Sequence, residues 1–229
     1  MHLLINKKKI YLYLLIFFTL STLVNINYSK NLQELFNLKY IDIDGLEHEH
    51  QNKLKKDLNL FKNKNILFIS AHELSDILEK YNEFESYKIQ KIFPFKLKVE
   101  IKETEYIAKT IINGKEFLVG KNKKFIELKN FALDQHVPLI FGNFPIDSFM
   151  NLQENLKKNN FDLDIINNYF YFKSDRWDLE IEKNITIKLP KNNQFEALKT
   201  YQLLQKKNKI KEKSIIDFRL PKKIIISND

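Results

Sequence analysis

Two histidines one residue apart, His48 and His50 flanking Glu49, are the nearest this sequence comes to a metal site. Imidazoles at that spacing can share a zinc ion, but no third or fourth ligand accompanies them, and the stretch reads as a solvated turn. His72-Glu73 reads as the start of a helix. Between Gly114 and Gly120-Lys121 there are five residues rather than four, and Asn122 stands where a phosphate-binding loop needs Ser or Thr. Cysteine is absent, which excludes thiolate nucleophiles and disulfides, and there is no G-x-S-x-G elbow. Asp and Glu pairs occur only along alternating strand faces or helix surfaces. The residues imply no catalytic set, no cofactor and no metal, so surface recognition is the chemistry left.

The basic residues carry one informative pattern. Of 38 Lys and Arg, only Arg176 and Arg219 are arginine. A guanidinium makes planar, two-pronged pairs with carboxylates that an ammonium cannot copy. That suggests a specific geometric task at both positions, with two structural ion pairs as the plainer reading. The net charge is +9, yet the lysines are scattered and no Arg-rich, aromatic-interleaved stripe occurs, so nucleic acid is not the expected partner.

The elements that must position these residues are legible in the periodicities. After Pro94, Phe95, Leu97, Val99 and Ile101 alternate with Lys96, Lys98, Glu100 and Lys102. A period of two puts the apolar side chains on one face of a strand, and Pro94 fits the turn into it. A strand at 38–45 closes on Gly45. Leu54, Leu58 and Phe61 mark a first helix; Ser70 and Glu73 form a capping box for a second, with Leu74, Ile77, Leu78 and Tyr81 on one face. Strands at 87–93 and 95–103 complete a strand–helix–helix–strand–strand unit, which is a two-layer α+β module.

From Thr104 short strands and turns dominate. Strands are expected at 106–112, 116–119, 125–128, 166–172, 177–181 and 185–189, with a strand-like tail at 214–227 interrupted at Pro221. Asp147 and Ser148 can cap a helix carrying Phe149, Leu152 and Leu156, and Phe195, Leu198, Tyr201 and Leu204 mark another.

The N-terminus sets the compartment. Lys7, Lys8 and Lys9 precede an apolar run at 10–26. As a helix that run spans about 25 Å, close to the ~30 Å hydrocarbon core. The lysines place its N-terminal side in the cytoplasm. The run is long for a signal peptide and no small-x-small site follows it, so it reads as an uncleaved anchor.

Together these residues resemble the FtsQ/DivIB family of bitopic cell-division proteins. Ile41-x-Ile43-x-Gly45 and Phe93-Pro94-x-x-Leu97-x-Val99-x-Ile101-x-Glu103 resemble the family's POTRA module. Val137-Pro138-Leu139-Ile140-x-Gly142, Arg176-Trp177-Asp178-Leu179, Leu189-Pro190 and Ile216-Asp217-Phe218-Arg219 resemble its β domain. The family usually has a proline shortly before the position of Ala108, where this chain has Tyr106-Ile107.

The resemblance implies a cytoplasmic tail at 1–9, a transmembrane helix at 10–26, a connector at 27–37, a POTRA domain at 38–104 and, at 105–229, a mixed, mainly antiparallel β domain with two helices. It implies a non-enzymatic scaffold in the inner membrane at the division septum, single-pass, with its bulk in the periplasm. The β domain would bind the FtsB–FtsL pair, and the POTRA module other division proteins. Carried over residue by residue, an FtsB-type segment would add to an edge strand using Phe218, Arg219, Leu220, Lys222, Ile224 and Ile226, although Pro221 removes one donor there. Gly45, Pro94, Glu103, Arg176, Trp177 and Asp217 are the structural members of the motifs. A POTRA-bearing export or envelope-assembly component is the alternative; it predicts a C-terminal barrel or several POTRA units. A membrane-tethered enzyme would need a catalytic set.

Overall fold

The apolar members of the alternation after Pro94 turn inward together: Leu97, Val99 and Ile101 are buried on one face of a strand. The structure is a computed structural model describing residues 7–22, 34–46, 48–128, 137–220 and 223–228, and it divides into two units, 1–103 and 104–229.

The first unit contains α1 (Lys7–Thr22), β1 (Tyr40–Asp44), α2 (His48–Leu58), α3 (Ala71–Leu78), β2 (Phe84–Ile92) and β3 (Lys96–Glu103). β3 is central in a three-stranded sheet, parallel to β1 and antiparallel to β2. The turn between β2 and β3 holds a cis Phe93–Pro94 peptide bond. Leu54 and Leu58 of α2 and Leu74 and Leu78 of α3 pack with Ile41, Ile43, Leu97 and Val99 in one core. Two helices on one sheet face is the smallest arrangement that buries both amphipathic stripes.

α3 starts on the expected capping box. The Ser70 hydroxyl accepts from the His72 N–H at 3.2 Å, and the Glu73 carboxylate accepts from the Ser70 N–H at 3.2 Å. The His48-Glu49-His50 stretch is not a solvated turn. It is the first turn of α2, because the chain reverses at Gly45 and the helix begins three residues later. His50 Nδ1 lies 3.1 Å from Glu103 Oε1, joining the start of α2 to the end of β3.

α1 begins inside the lysine run rather than at residue 10, and its side chains from Lys9 to Ser21 are exposed. Its 16 residues span about 24 Å. No helix among the described residues is long and apolar enough to cross a membrane. Positions 23–26 of the expected span lie outside the described residues.

The second unit contains β4 (Tyr106–Ile112), β5 (Lys115–Gly120), β6 (Phe125–Glu127), β7 (Leu139–Phe141), α4 (Ile146–Lys158), β8 (Ile166–Phe172), β9 (Arg176–Ile181), β10 (Ile185–Lys188), α5 (Gln194–Lys206), β11 (Ser214–Asp217) and β12 (Ile225–Asn228). The strands form one mixed sheet in the order β12-β11-β10-β9-β8-β7-β4-β5-β6. Tyr169, Trp177, Leu179, Ile187 and Ile216 on one face bury against Phe149, Leu152 and Leu156 of α4 and Leu198 and Tyr201 of α5.

β7 was not anticipated as a strand. It is three residues long and pairs in parallel with both β4 and β8, so no hairpin announces it. The expected Asp147/Ser148 cap is also corrected. Pro145 is the N-cap and α4 starts at Ile146, which places both residues inside the first turn. Asp147 instead pairs with Lys123 at 2.9 Å, and the Ser148 hydroxyl accepts from the Trp177 indole N–H at 3.0 Å. That bond satisfies the only polar atom of a tryptophan that is 1% exposed.

Gly45 has φ +88°, and a Cβ there would stand 2.0 Å from the Ile101 carbonyl oxygen of β3. Backbone strain and a clash with an immobile carbonyl both oppose any side chain. Gly45→Ala should cost at least about 2 kcal/mol in urea unfolding. A loss below about 0.5 kcal/mol would show that the turn relaxes without disturbing β1 and β3.

Candidate functional site

A strand in an open sheet is paired on both sides except at the two ends of the strand order. In the second unit those ends are β6 and β12. β12 pairs antiparallel with β11, Ile216 opposite Ile226 and Asp217 opposite Ile225, and no described strand pairs its outer edge. All four β12 residues are exposed. Leu220, Ile224, Ile225 and Ile226 are 40–48% exposed, a cluster of large apolar side chains in a segment with little else to cover them.

The segment between β11 and β12 is held at its start. The Phe218 N–H donates to the Lys188 carbonyl at 3.0 Å, and the Phe218 ring joins the core. Phe218 therefore anchors the segment instead of facing outward with Leu220, Ile224 and Ile226. Arg219 then closes the turn. Its Nε reaches Asp217 Oδ1 at 2.8 Å and Oδ2 at 2.9 Å, its Nη2 also bonds Oδ2, and its backbone N–H donates to Oδ1 at 2.9 Å. Arg219 thus has the two-pronged carboxylate geometry that lysine lacks. Lys222 and Pro221 lie outside the described residues.

Beyond Arg219 the segment forms one wall of a 660 Å³ cleft, with Leu220 and Ile224 facing Pro190, Asn193, Glu196 and Thr200 of the β10–α5 connection and the first turns of α5. Asn193 at the start of α5 has φ 62°, a left-handed conformation that asparagine tolerates better than other non-glycine residues. Sequence reading found the Leu189-Pro190 mark but not this wall. Its residues carry no periodic signal and come together only because β10 and β11 are parallel neighbours.

The second arginine lies further into the sheet. On the face away from the helices, cross-strand pairing aligns Phe141, Phe170, Asp178, Lys188, Asp217 and Ile225 in one row that ends on the edge strand. Phe141 and Phe170 stack at 5.0 Å. The Arg176 guanidinium sits 4.3 Å above the Phe172 ring and 3.7 Å from Asp178. Burial raises the Asp178 pKa; Arg176, Arg219 and Lys188 oppose that rise. Asp217 is shifted the other way, chiefly by its hydrogen bonds from the Arg219 side chain. Both arginines therefore serve ion pairs within the sheet, and Trp177 between Arg176 and Asp178 points into the core.

Of the remaining motif residues, Gly45, Pro94 and Glu103 belong to the first unit, where they shape its turns and hold α2. Among the described residues, no group of three or more His, Cys, Asp or Glu could hold a metal ion.

Comparison with known proteins agrees with the motifs. Residues 36–104 match the family model described as POTRA domain, FtsQ-type. Proteins named Cell division protein FtsQ from Rickettsia bellii, Rickettsia felis and Rickettsia conorii are 26%, 27% and 27% identical to this chain over 175 residues. The match covers 76% of this chain and 65% of each relative. The first unit carries an FtsQ-type POTRA domain, and the resemblance to the FtsQ family extends over most of the chain.

The charged row has a measurable consequence. Asp217 has a lowered folded pKa, so its pairing with Arg219 adds stability above the unfolded value near 3.9 and loses it as pH falls through the lowered one. Asp178 has a raised folded pKa, so its ionisation costs stability as pH rises from about 3.9 through that value. Arg219→Lys should lower stability at pH 7 by no more than about 1 kcal/mol and flatten the acid limb. Thermal melting at pH 7, 5 and 3 reads both effects. Parallel losses in variant and parent between pH 5 and 3 would show that the pair is not coupled to folding.

Proposed function

We propose that this chain is a non-enzymatic scaffold of the cell-division machinery, held in the inner membrane by its N-terminal apolar segment and docking partners in the periplasm through its β sheet. The observation that carries this reading is the outer edge of β12, with Leu220, Ile224, Ile225 and Ile226 exposed along and beside it. An extended partner segment gains main-chain hydrogen bonds at such an edge, and side-chain pockets give it specificity. The cleft beside Leu220 and Ile224 is the pocket this edge offers.

The partner of this reading is the periplasmic part of an FtsB-type coiled-coil protein, itself paired with an FtsL-type protein. Its segment would lie antiparallel or parallel to β12 and set side chains against Leu220 and Ile224. Arg219 takes no direct part here; it holds the turn that presents both residues. The anchor of this reading is the apolar run at 10–26, whose described part lies in α1 (Lys7–Thr22), with its lysines in the cytoplasm. Confinement to a membrane raises the local concentration of two anchored partners, so a modest edge-strand affinity suffices. Action at the division septum and a role for the POTRA domain in contacting other division proteins belong to the same proposal and rest on the family resemblance.

Leu220→Glu together with Ile224→Glu should weaken binding of the full chain to the periplasmic segment of its own FtsB-type partner by at least about tenfold. Both positions are exposed, so circular dichroism and melting should match the parent protein. Unchanged affinity in a folded double variant would remove β12 as the docking edge.

A further inference from the structure

The path of the chain through the first unit sorts its surface into two chemically different ends. β1 and β3 are parallel and start at the same end, where β2 finishes. α2 runs away from the Asp44 end of β1 and returns the chain to that starting end, and α3 leaves from it. The 63–66 segment after α2 is sewn to the residues that lead into β1. The Leu38 N–H donates to the Lys64 carbonyl and the Asn63 N–H to the Leu38 carbonyl, each at 2.9 Å, and the Ile66 N–H donates to the Phe36 carbonyl at 2.8 Å. This end is therefore where the chain arrives from α1.

The exposed large apolar side chains of the folded domain gather there. Tyr40, Leu60, Leu67, Phe68, Ile92 and Phe93 are 41–84% exposed, Phe68 most of all. Leu67 and Phe68 are not a slack loop. Buried Ile66 and Ile69 bracket them, and the Leu67 N–H donates to the Asn65 side chain at 3.0 Å while the Phe68 N–H donates to the Asn65 carbonyl at 3.1 Å. A turn fixed in this way projects two apolar side chains outward.

Charge is sorted along the same axis. Residues 35–40, 59–70 and 90–96, which form this end, include Lys39, Lys62, Lys64, Lys91 and Lys96 and no Asp or Glu, and of these lysines Lys96 is paired with Asp42 of β1. The opposite end carries Asp44, Glu79, Glu83, Glu85, Glu100 and Glu103, which outnumber the lysines among them, Lys80, Lys88, Lys98 and Lys102; Lys98 pairs with Glu100 and Asp44, and Lys102 with Glu85. The eleven residues 23–33 between α1 and the domain can reach no more than about 40 Å even when extended.

We propose that this basic, apolar end of the POTRA domain docks on the anionic bilayer surface, with Leu67 and Phe68 inserted at the headgroup level and Lys62 and Lys64 against lipid phosphates. The inference rests on the membrane-anchor reading above. Apolar and aromatic side chains beside lysines are the composition that binds an anionic interface. The far end keeps an excess of carboxylates over lysines and gathers no comparable set of apolar side chains, so the 67–68 end is the one that such an interface favours. Docking would hold the acidic end of the domain away from the membrane, toward soluble partners.

The absence of cysteine makes the test direct, because an introduced one is the only labelling site. Full-length Leu67→Cys, Glu83→Cys and Ile16→Cys variants, each carrying an environment-sensitive fluorophore, are placed in phosphatidylethanolamine–phosphatidylglycerol vesicles containing a headgroup-level nitroxide lipid. The label at 67 should be blue-shifted and quenched, and the label at 83 should be neither. Adding Lys62→Gln or Lys64→Gln should lower the docked-to-undocked ratio by roughly fivefold each, and phosphatidylcholine in place of the anionic lipid should lower it further.

A label at 67 quenched no more than one at 83, while the label at 16 reports lipid, overturns surface docking and leaves the anchor standing. A label at 16 outside lipid overturns the anchor reading, and the label at 67 then decides the surface separately. A blue shift at 67 without lipid quenching means that protein covers the patch, which also overturns the proposal.

Discussion

Hydrogen bonding in a strand runs out to both sides, and a sheet that does not close must leave two strands half-paired. Both sheets of this protein are open, and the chemistry of each edge follows from how that constraint is met. At one end of the large sheet β6 is only three residues long, and its Glu127 is bridged by Lys115 of β5. A short, charged edge is poor ground for an added strand. At the other end β12, four residues long, lacks the charges, and Ile225 and Ile226 stand exposed in their place. The difference between the two edges, more than any one residue, is what supports the docking edge proposed for β12.

The same constraint explains why the arginines stand where they do. A strand that ends in an exposed, apolar segment needs that segment to leave the sheet at a defined angle. Phe218 inserts in the core, and the Arg219–Asp217 fork then locks the next residue. An ammonium could neutralise Asp217 but could not fix the turn in a plane. Arg176, stacked on Phe172, leads the three cations, with Arg219 and Lys188, that balance an Asp178 only 5% exposed. A lysine-rich chain kept guanidinium at the two places where geometry, and not charge alone, was needed.

What could be read from the sequence follows from which elements have local causes. β3 was visible because its face is decided by a period of two, and α3 because its capping box lies within four residues. Gly45 was visible as a turn, although the Ile101 carbonyl that forbids a side chain there comes from a distant strand. β7 and the cap of α4 were not legible, since three residues in parallel pairing have no local signature and Pro145 occupied a position where Ser or Asp was expected. Within the proposed docking segment the exposed Leu220, Ile224 and Ile226 follow from the family resemblance and not from any local pattern. Phe218 was named with them because adjacency in a motif says nothing about which side chain turns inward. The far wall of the cleft came from parallel pairing of β10 with β11, which no local pattern encodes.

The polarity of the POTRA domain illustrates the opposite case, in which short segments look unremarkable and the topology makes them a surface. None of the three segments 35–40, 59–70 and 90–96 is long, amphipathic or unusually basic for this chain. They become one end of the domain because parallel β1 and β3 must start together, which forces the two intervening helices to leave and return. Any strand–helix–helix–strand–strand unit has such an end, with the incoming chain built into it. If the preceding helix is a membrane anchor, that end is the part of the domain for which the bilayer is an unavoidable neighbour. Exposed Phe68 is then costly in free solution and favourable at the headgroup level, while the lysines beside it, well hydrated in either place, add attraction to anionic lipid.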